Sequence, residues 1–92
     1  MSEYIEIETE PDDAPDVMHF TTNVTLSETG EERYDSPEAM EEGSPFAQAL
    51  ALVDGVRSLH LAGHTMAVTR DPEMPWHIIV AEVSAAIKDF FL

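Results

Sequence analysis

Polar and apolar residues alternate from the start of the chain. In EYIEIET, Ile5 and Ile7 share one side while Tyr4, Glu6 and Glu8 share the other, the period of a half-buried β-strand. PDDAP, two prolines and two aspartates in five residues, reads as a turn or loop. DVMHFT alternates again, Met18 and Phe20 inward and Val17 and His19 outward, and is expected to pair antiparallel with the first strand. From Thr21 to Asp35 the alternation weakens: NVTL has strand character, SETGEE is a polar turn around Gly30, and a mobile segment or a short edge strand is expected.

The period then changes. SPEAM and GSPFAQ both carry Ser-Pro, with serine as helix cap and proline at the first helical position. The first predicts a single turn ending near Gly43. The second predicts a helix over Ser44–Val53, because Phe46, Ala49, Leu50 and Val53 form one stripe, and Gly55 is expected to end it. GVRSLHLAGHTMAVTR predicts a hairpin with Leu59 and Leu61 against Met66 and Val68 across Ala62-Gly63-His64. After the proline-marked loop DPEMP, apolar residues at Trp76, Ile79, Val80, Val83, Ile87 and Phe90 predict a long helix over Trp76–Phe91.

The order ββ-αββα predicts an α+β fold, a two-layer sandwich of mostly antiparallel sheet with two helices on its one apolar face. The predicted core comprises Ile5, Ile7, Met18, Phe20, Phe46, Leu50, Val53, Leu59, Leu61, Met66, Val68, Ile79, Val83 and Ile87. The opposite sheet face should display Tyr4, Glu6, Glu8, Val17, His19, Ser58, His60, Thr65, Ala67 and Thr69.

Length and composition narrow this picture. Ninety-two residues suit a single domain, 1–92, which at this size buries roughly 60% of its unfolded surface. The acidic start lacks the basic and apolar regions of a leader, and no apolar run is long enough to span a membrane, so a cytoplasmic location is expected. Cysteine is absent, which excludes disulfides and thiolate chemistry. The formal charge of −15 is uneven: residues 1–43 hold fourteen acids and one base, residues 44–92 five acids and three bases. Such a surface repels phosphate backbones, which argues against nucleic-acid binding. Salt adaptation, solubility and an acidic docking surface all remain open as reasons for the charge, although uniform salt adaptation gives no ground for the asymmetry.

Candidate chemistry is sparse. Of the four histidines, His19 and His60 are expected on the open face, His64 in the turn and His77 on the last helix. A metal site needs three or more converging ligands, and no Ser-His-Asp grouping or buried carboxylate pair can be composed. No catalytic residue and no metal ligand is therefore assigned, and no enzyme activity is expected. One alternative keeps a divalent ion shared by His19 and His60, taken to lie on adjacent strands, with open-face acids completing the set. A second alternative is an unrelated peptide- or protein-binding role for the same acidic face.

The chain resembles the N-terminal domain of the Nfu/NifU-type iron–sulfur cluster scaffold proteins. The family's T-E-x-T-P-N-P-x-x-x-K-F segment is similar to Thr9 through Phe20, with Thr9, Glu10, Pro15 and Phe20 in place. Its S-P-L-A-x-x-L-x-x-I-x-G-V helix resembles Ser44 through Val56, its V-T-K resembles Val68-Thr69-Arg70, and its final helix resembles Trp76 through Ile87 to Phe91. Asp13, Ala14, His19 and His60 depart from the pattern. In longer members a second domain with a Cys-x-x-Cys pair holds the cluster. The resemblance therefore implies a standalone, monomeric protein-contact module that binds no cofactor directly and meets an iron–sulfur cluster only through partners, namely assembly or recipient proteins. Its contact surface is expected at Tyr4, Glu6, Glu8, Asp12, Asp13, Asp16, His19 and His60.

Overall fold

A computed structural model describes residues 5–27 and 30–91. Five strands form one sheet: β1 (Ile7–Pro11), β2 (Val17–Thr22), β3 (Glu31–Tyr34), β4 (Val56–Ala62) and β5 (Thr65–Arg70). Three helices accompany them: α1 (Pro37–Glu41), α2 (Pro45–Ala51) and α3 (Trp76–Phe91). The sheet order is β1-β2-β5-β4-β3, and every neighbouring pair is antiparallel. This is the expected α+β architecture, with α1 as the single helical turn expected before Gly43.

The edge strand β3 realises the second of the two expectations for residues 21–35, and it takes in the end of the stretch read as a polar turn. Its register explains why it was faint: Glu32 opposes Leu61 and Tyr34 opposes Leu59, so a carboxylate and a phenol occupy the two positions facing the helices. Apolar alternation is absent where the inward residue is Glu.

Local chemistry sets the helix starts. Ser36 and Ser44 accept from the backbone N–H groups of Ala39 and Ala47, and Pro37 and Pro45 follow each cap. Helix α2 stops at Ala51, two residues before the expected Val53, with Leu52 as cap. Gly55 serves the following turn instead: its φ is 94°, and a Cβ there would press on Met74 and Ile79. The β4–β5 turn narrows to Gly63-His64, with Gly63 at φ 64°. The Gly63 carbonyl also accepts from Leu26 and Ser27, which anchors the β2–β3 connection on the hairpin tip.

Helices α2 and α3 bury Phe46, Ala47 and Leu50, and Ile79, Val83 and Ile87, against Phe20, Leu59, Leu61, Met66 and Val68 of the sheet. Eleven of the fourteen expected core residues are buried, and Ile7, Met18 and Val53 pack partly buried at the margin. Leu26, Met40, Ala47 and Val56 join the core unannounced, because short segments carry too few apolar residues to establish a period.

Candidate protein-contact surface

The face of the sheet away from the helices is built from three registered rows. Glu10, His19, Ala67, His60 and Arg33 lie across β1, β2, β5, β4 and β3 in that order. Glu8, Thr21, Thr65, Ala62 and Glu31 form the next row, and Val17, Thr69 and Ser58 a third. Alternation thus placed Glu8, Val17, His19, Ser58, His60, Thr65, Ala67 and Thr69 on the correct face. Ala67 stands between the two imidazoles in the first row.

Each imidazole has its own carboxylate. His19 Nε2 lies 2.7 Å from Asp12 Oδ1, and His60 Nε2 lies 2.9 Å from Glu31 Oε2. The hydrogen bond with His19, helped by the Ala14 N–H and the neighbouring backbone, holds the Asp12 carboxyl below its ordinary value. The loop that presents Asp12 is closed by backbone bonds from Asp12 N–H to the Val17 carbonyl and from Val17 N–H to the Ala14 carbonyl.

The two histidines do not lie on adjacent strands. Strand β5 separates them, and both register against Ala67. Two strand spacings place the chains that carry them about 10 Å apart. The adjacency on which the shared-ion alternative rested is absent, and each Nε2 is engaged by a carboxylate of its own. Among the described residues, no group of three or more His, Cys, Asp or Glu could hold a metal ion.

The remaining expected contact residues divide. Glu8 and Asp13 are exposed on the β1 side, as expected. Glu6 is exposed just before β1, where its N–H donates to Asn23 Oδ1 at 3.1 Å. Asp16 is half-buried and spent on structure: its Oδ1 accepts from Arg70 Nε at 3.1 Å, so its charge is compensated. Tyr4 lies outside the described residues. Sequence reasoning missed Glu10, Glu31 and Arg33. The signal for Glu10 was present, because it continues the parity of Glu6 and Glu8 once β1 runs on to Pro11.

Behind the Asp12 loop, Arg70 joins segments distant in the chain. Its Nη1 donates to the Met74 carbonyl at 3.0 Å, and its guanidinium carbon sits 5.1 Å from the centroid of the Trp76 ring. Trp76 Nε1 donates to the Pro15 carbonyl at 3.0 Å. The loop of acids is thereby pinned to the start of α3.

An antiparallel sheet with one helix-covered face and one open polar face defines a small α+β domain. Residues 7–92 match the family model for the scaffold protein Nfu/NifU N terminal, and the chain belongs to that family. Its sequence is 33% identical over 86 residues to the NFU1 iron-sulfur cluster scaffold homolog, mitochondrial, of Drosophila willistoni, covering 92% of this chain and 29% of the relative. The corresponding protein of Drosophila persimilis is 31% identical over 86 residues, with 92% and 30% covered. The chain spans less than a third of the length of these relatives. Among solved structures, a NifU-like protein from Saccharomyces cerevisiae is similar with a TM-score of 0.77 at 18% identity, covering 97% of this chain and 82% of that one. Protein SAV1430 from Staphylococcus aureus is similar with a TM-score of 0.72 at 16% identity, covering 89% and 98%. The two structural likenesses bear on the fold.

Proposed function

We propose that this chain is a non-catalytic, monomeric protein-contact module of iron–sulfur cluster assembly or delivery, working in the cytoplasm without itself ligating the cluster. Family membership supports the setting. The absence of cysteine from the sequence supports contact rather than cluster ligation, since thiolates are the usual cluster ligands. The observation that carries the reading is the uneven open face. Glu8, Glu10 and Asp12 gather on its β1 side with Glu6 and Asp13 exposed beside them, while at the far edge strand Glu31 is accompanied by the base Arg33. A basic partner surface is drawn to the β1 side, faster at low salt and more weakly as salt screens the field.

The test is capture from native cytoplasm at low salt, comparing the wild-type chain with Glu8→Lys/Asp13→Lys, two exposed positions whose reversal spares the Asp12–His19 pair. Cluster-assembly or cluster-receiving proteins should be retained by the wild type and lost from the variant. Equal capture by both would move the contact elsewhere, and the absence of any such protein from either would remove the iron–sulfur assignment. Anaerobic incubation with iron and sulfide should leave the isolated chain without stoichiometric cluster absorption.

A further inference from the structure

On the opposite layer, a groove of about 530 Å³ runs between α2 and α3. Its apolar walls are Leu52, Val53, Ala85, Ala86 and Phe90, and the charged side chains that line it are Glu82 and Asp89, both acids. Leu52 is 84% exposed and Phe90 43%, two of the three large apolar side chains most open to solvent among the described residues. Leu52 caps α2 without contributing to the core, so folding does not account for an apolar residue there.

We propose that this groove seats a basic amphipathic helix of a partner protein, its apolar side chains between Leu52 and Phe90 and its lysines or arginines against Glu82 and Asp89. The small side chains of Ala85 and Ala86 let a helix approach α3 closely, and the remainder of the lining is what an i, i+4, i+7 apolar stripe occupies. Charge complementarity selects the partner. An apolar floor alone would accept any amphipathic helix, but acids on the rim of a chain of net charge −15 disfavour an acidic helix and a second copy of this chain alike. The groove and the open sheet face lie on different layers, so this inference stands apart from the function proposed above.

The probe is a fluorescein-labelled helical peptide with leucine at i, i+4 and i+7 and lysine elsewhere, titrated with the full chain by anisotropy and followed by NMR. Saturable binding is expected, with shifts centred on Leu52, Ala85, Ala86 and Phe90. Leu52→Asp and Glu82→Lys/Asp89→Lys should each weaken it about tenfold or more, whereas Glu8→Lys should leave it unchanged. All three replaced groove positions are exposed, and the charge reversal keeps the test intact should Leu52→Asp fold poorly. The proposal is overturned if a scrambled peptide of the same composition binds equally, which would leave charge alone. It is overturned equally if a glutamate-for-lysine peptide binds as well, if the shifts centre on His19 and His60, or if no saturable binding occurs. Concentration-dependent dimers in sedimentation that Leu52→Asp abolishes would assign the groove to a second copy instead.

Discussion

At the β1–β2 loop a cation ties the chain together, and at the β3 edge an anion does. Arg70 holds Asp16, 54 residues away, while Trp76 beneath its guanidinium reaches Pro15 across 61 residues. Glu32 accepts from the Tyr34 hydroxyl and, at 2.7 Å, from Ser27 Oγ, and the Tyr34 hydroxyl in turn accepts from Ser44 N–H at 3.2 Å, across ten residues. The cation closes long loops and so fixes which segments meet. The anion closes short ones and so fixes the local path from the edge strand through α1 into α2. Gly43 belongs to this second hub: its own φ is unremarkable, but a Cβ there would overlap the Tyr34 ring.

The largest effect should come from the core on which both hubs rest. Leu50 is fully buried on α2, and Leu50→Ala should cost about 2–5 kcal/mol in urea denaturation. Both hubs should then loosen together, and a loss under about half a kcal/mol would show that α2 does not pack as described.

Next, Tyr34→Phe removes the hydroxyl between Glu32 and Ser44 and leaves the half-buried carboxylate short of a donor, at a cost of about 1–3 kcal/mol. Arg70→Met should cost less, about 1–2 kcal/mol, because the Asp16 partner is 39% exposed and water screens that pair. Hydrogen exchange separates the two. Tyr34→Phe should speed exchange at residues 31–34 and Ser44, and Arg70→Met at residues 12–17 and the first turn of α3. Protection lost at the same amides in both variants would erase the distinction between a local and a long-range hub.

The cation hub was half legible in the sequence and the anion hub was not. Pro15, Arg70 and Trp76 all fell within segments that carried the family resemblance, although nothing in their spacing said that they meet. Asp16 was assigned to the contact surface for its charge, when its partner lay 54 residues away. Glu32 could not be placed because pattern reasoning puts every Glu outward. Only the donors supplied by Tyr34, Ser27 and Ser44 make its inward position tolerable. The open face was read correctly wherever parity within one strand decided it. It was misread where strand order decided, since β5 inserts between β2 and β4 through pairings that no local period encodes.

Acid provides the finest test, because both hub chemistry and surface pairing are carried by carboxylates. Burial pushes the Glu32 carboxyl up, but hydrogen bonds from Tyr34, Ser44 and Ser27 outweigh it and hold the group below its ordinary value of 4.5. The Asp12 carboxyl is also held low, from an ordinary value of 3.8, chiefly by the hydrogen bond with His19, yet it lies at the surface. A carboxyl lowered in the folded state contributes stability above its unfolded value and loses that contribution as pH falls through the folded one. Stability should therefore decline as pH drops below about 4.5. Replacing Glu32 by Gln should flatten that decline, and replacing Asp12 by Asn should flatten it less and at lower pH, because solvent competes for every bond Asp12 makes. Urea midpoints for the wild type and both variants between about pH 5 and pH 3 measure the difference. Equal flattening by the two variants would mean that the β3 hub is no better sheltered from water than a surface histidine–aspartate pair.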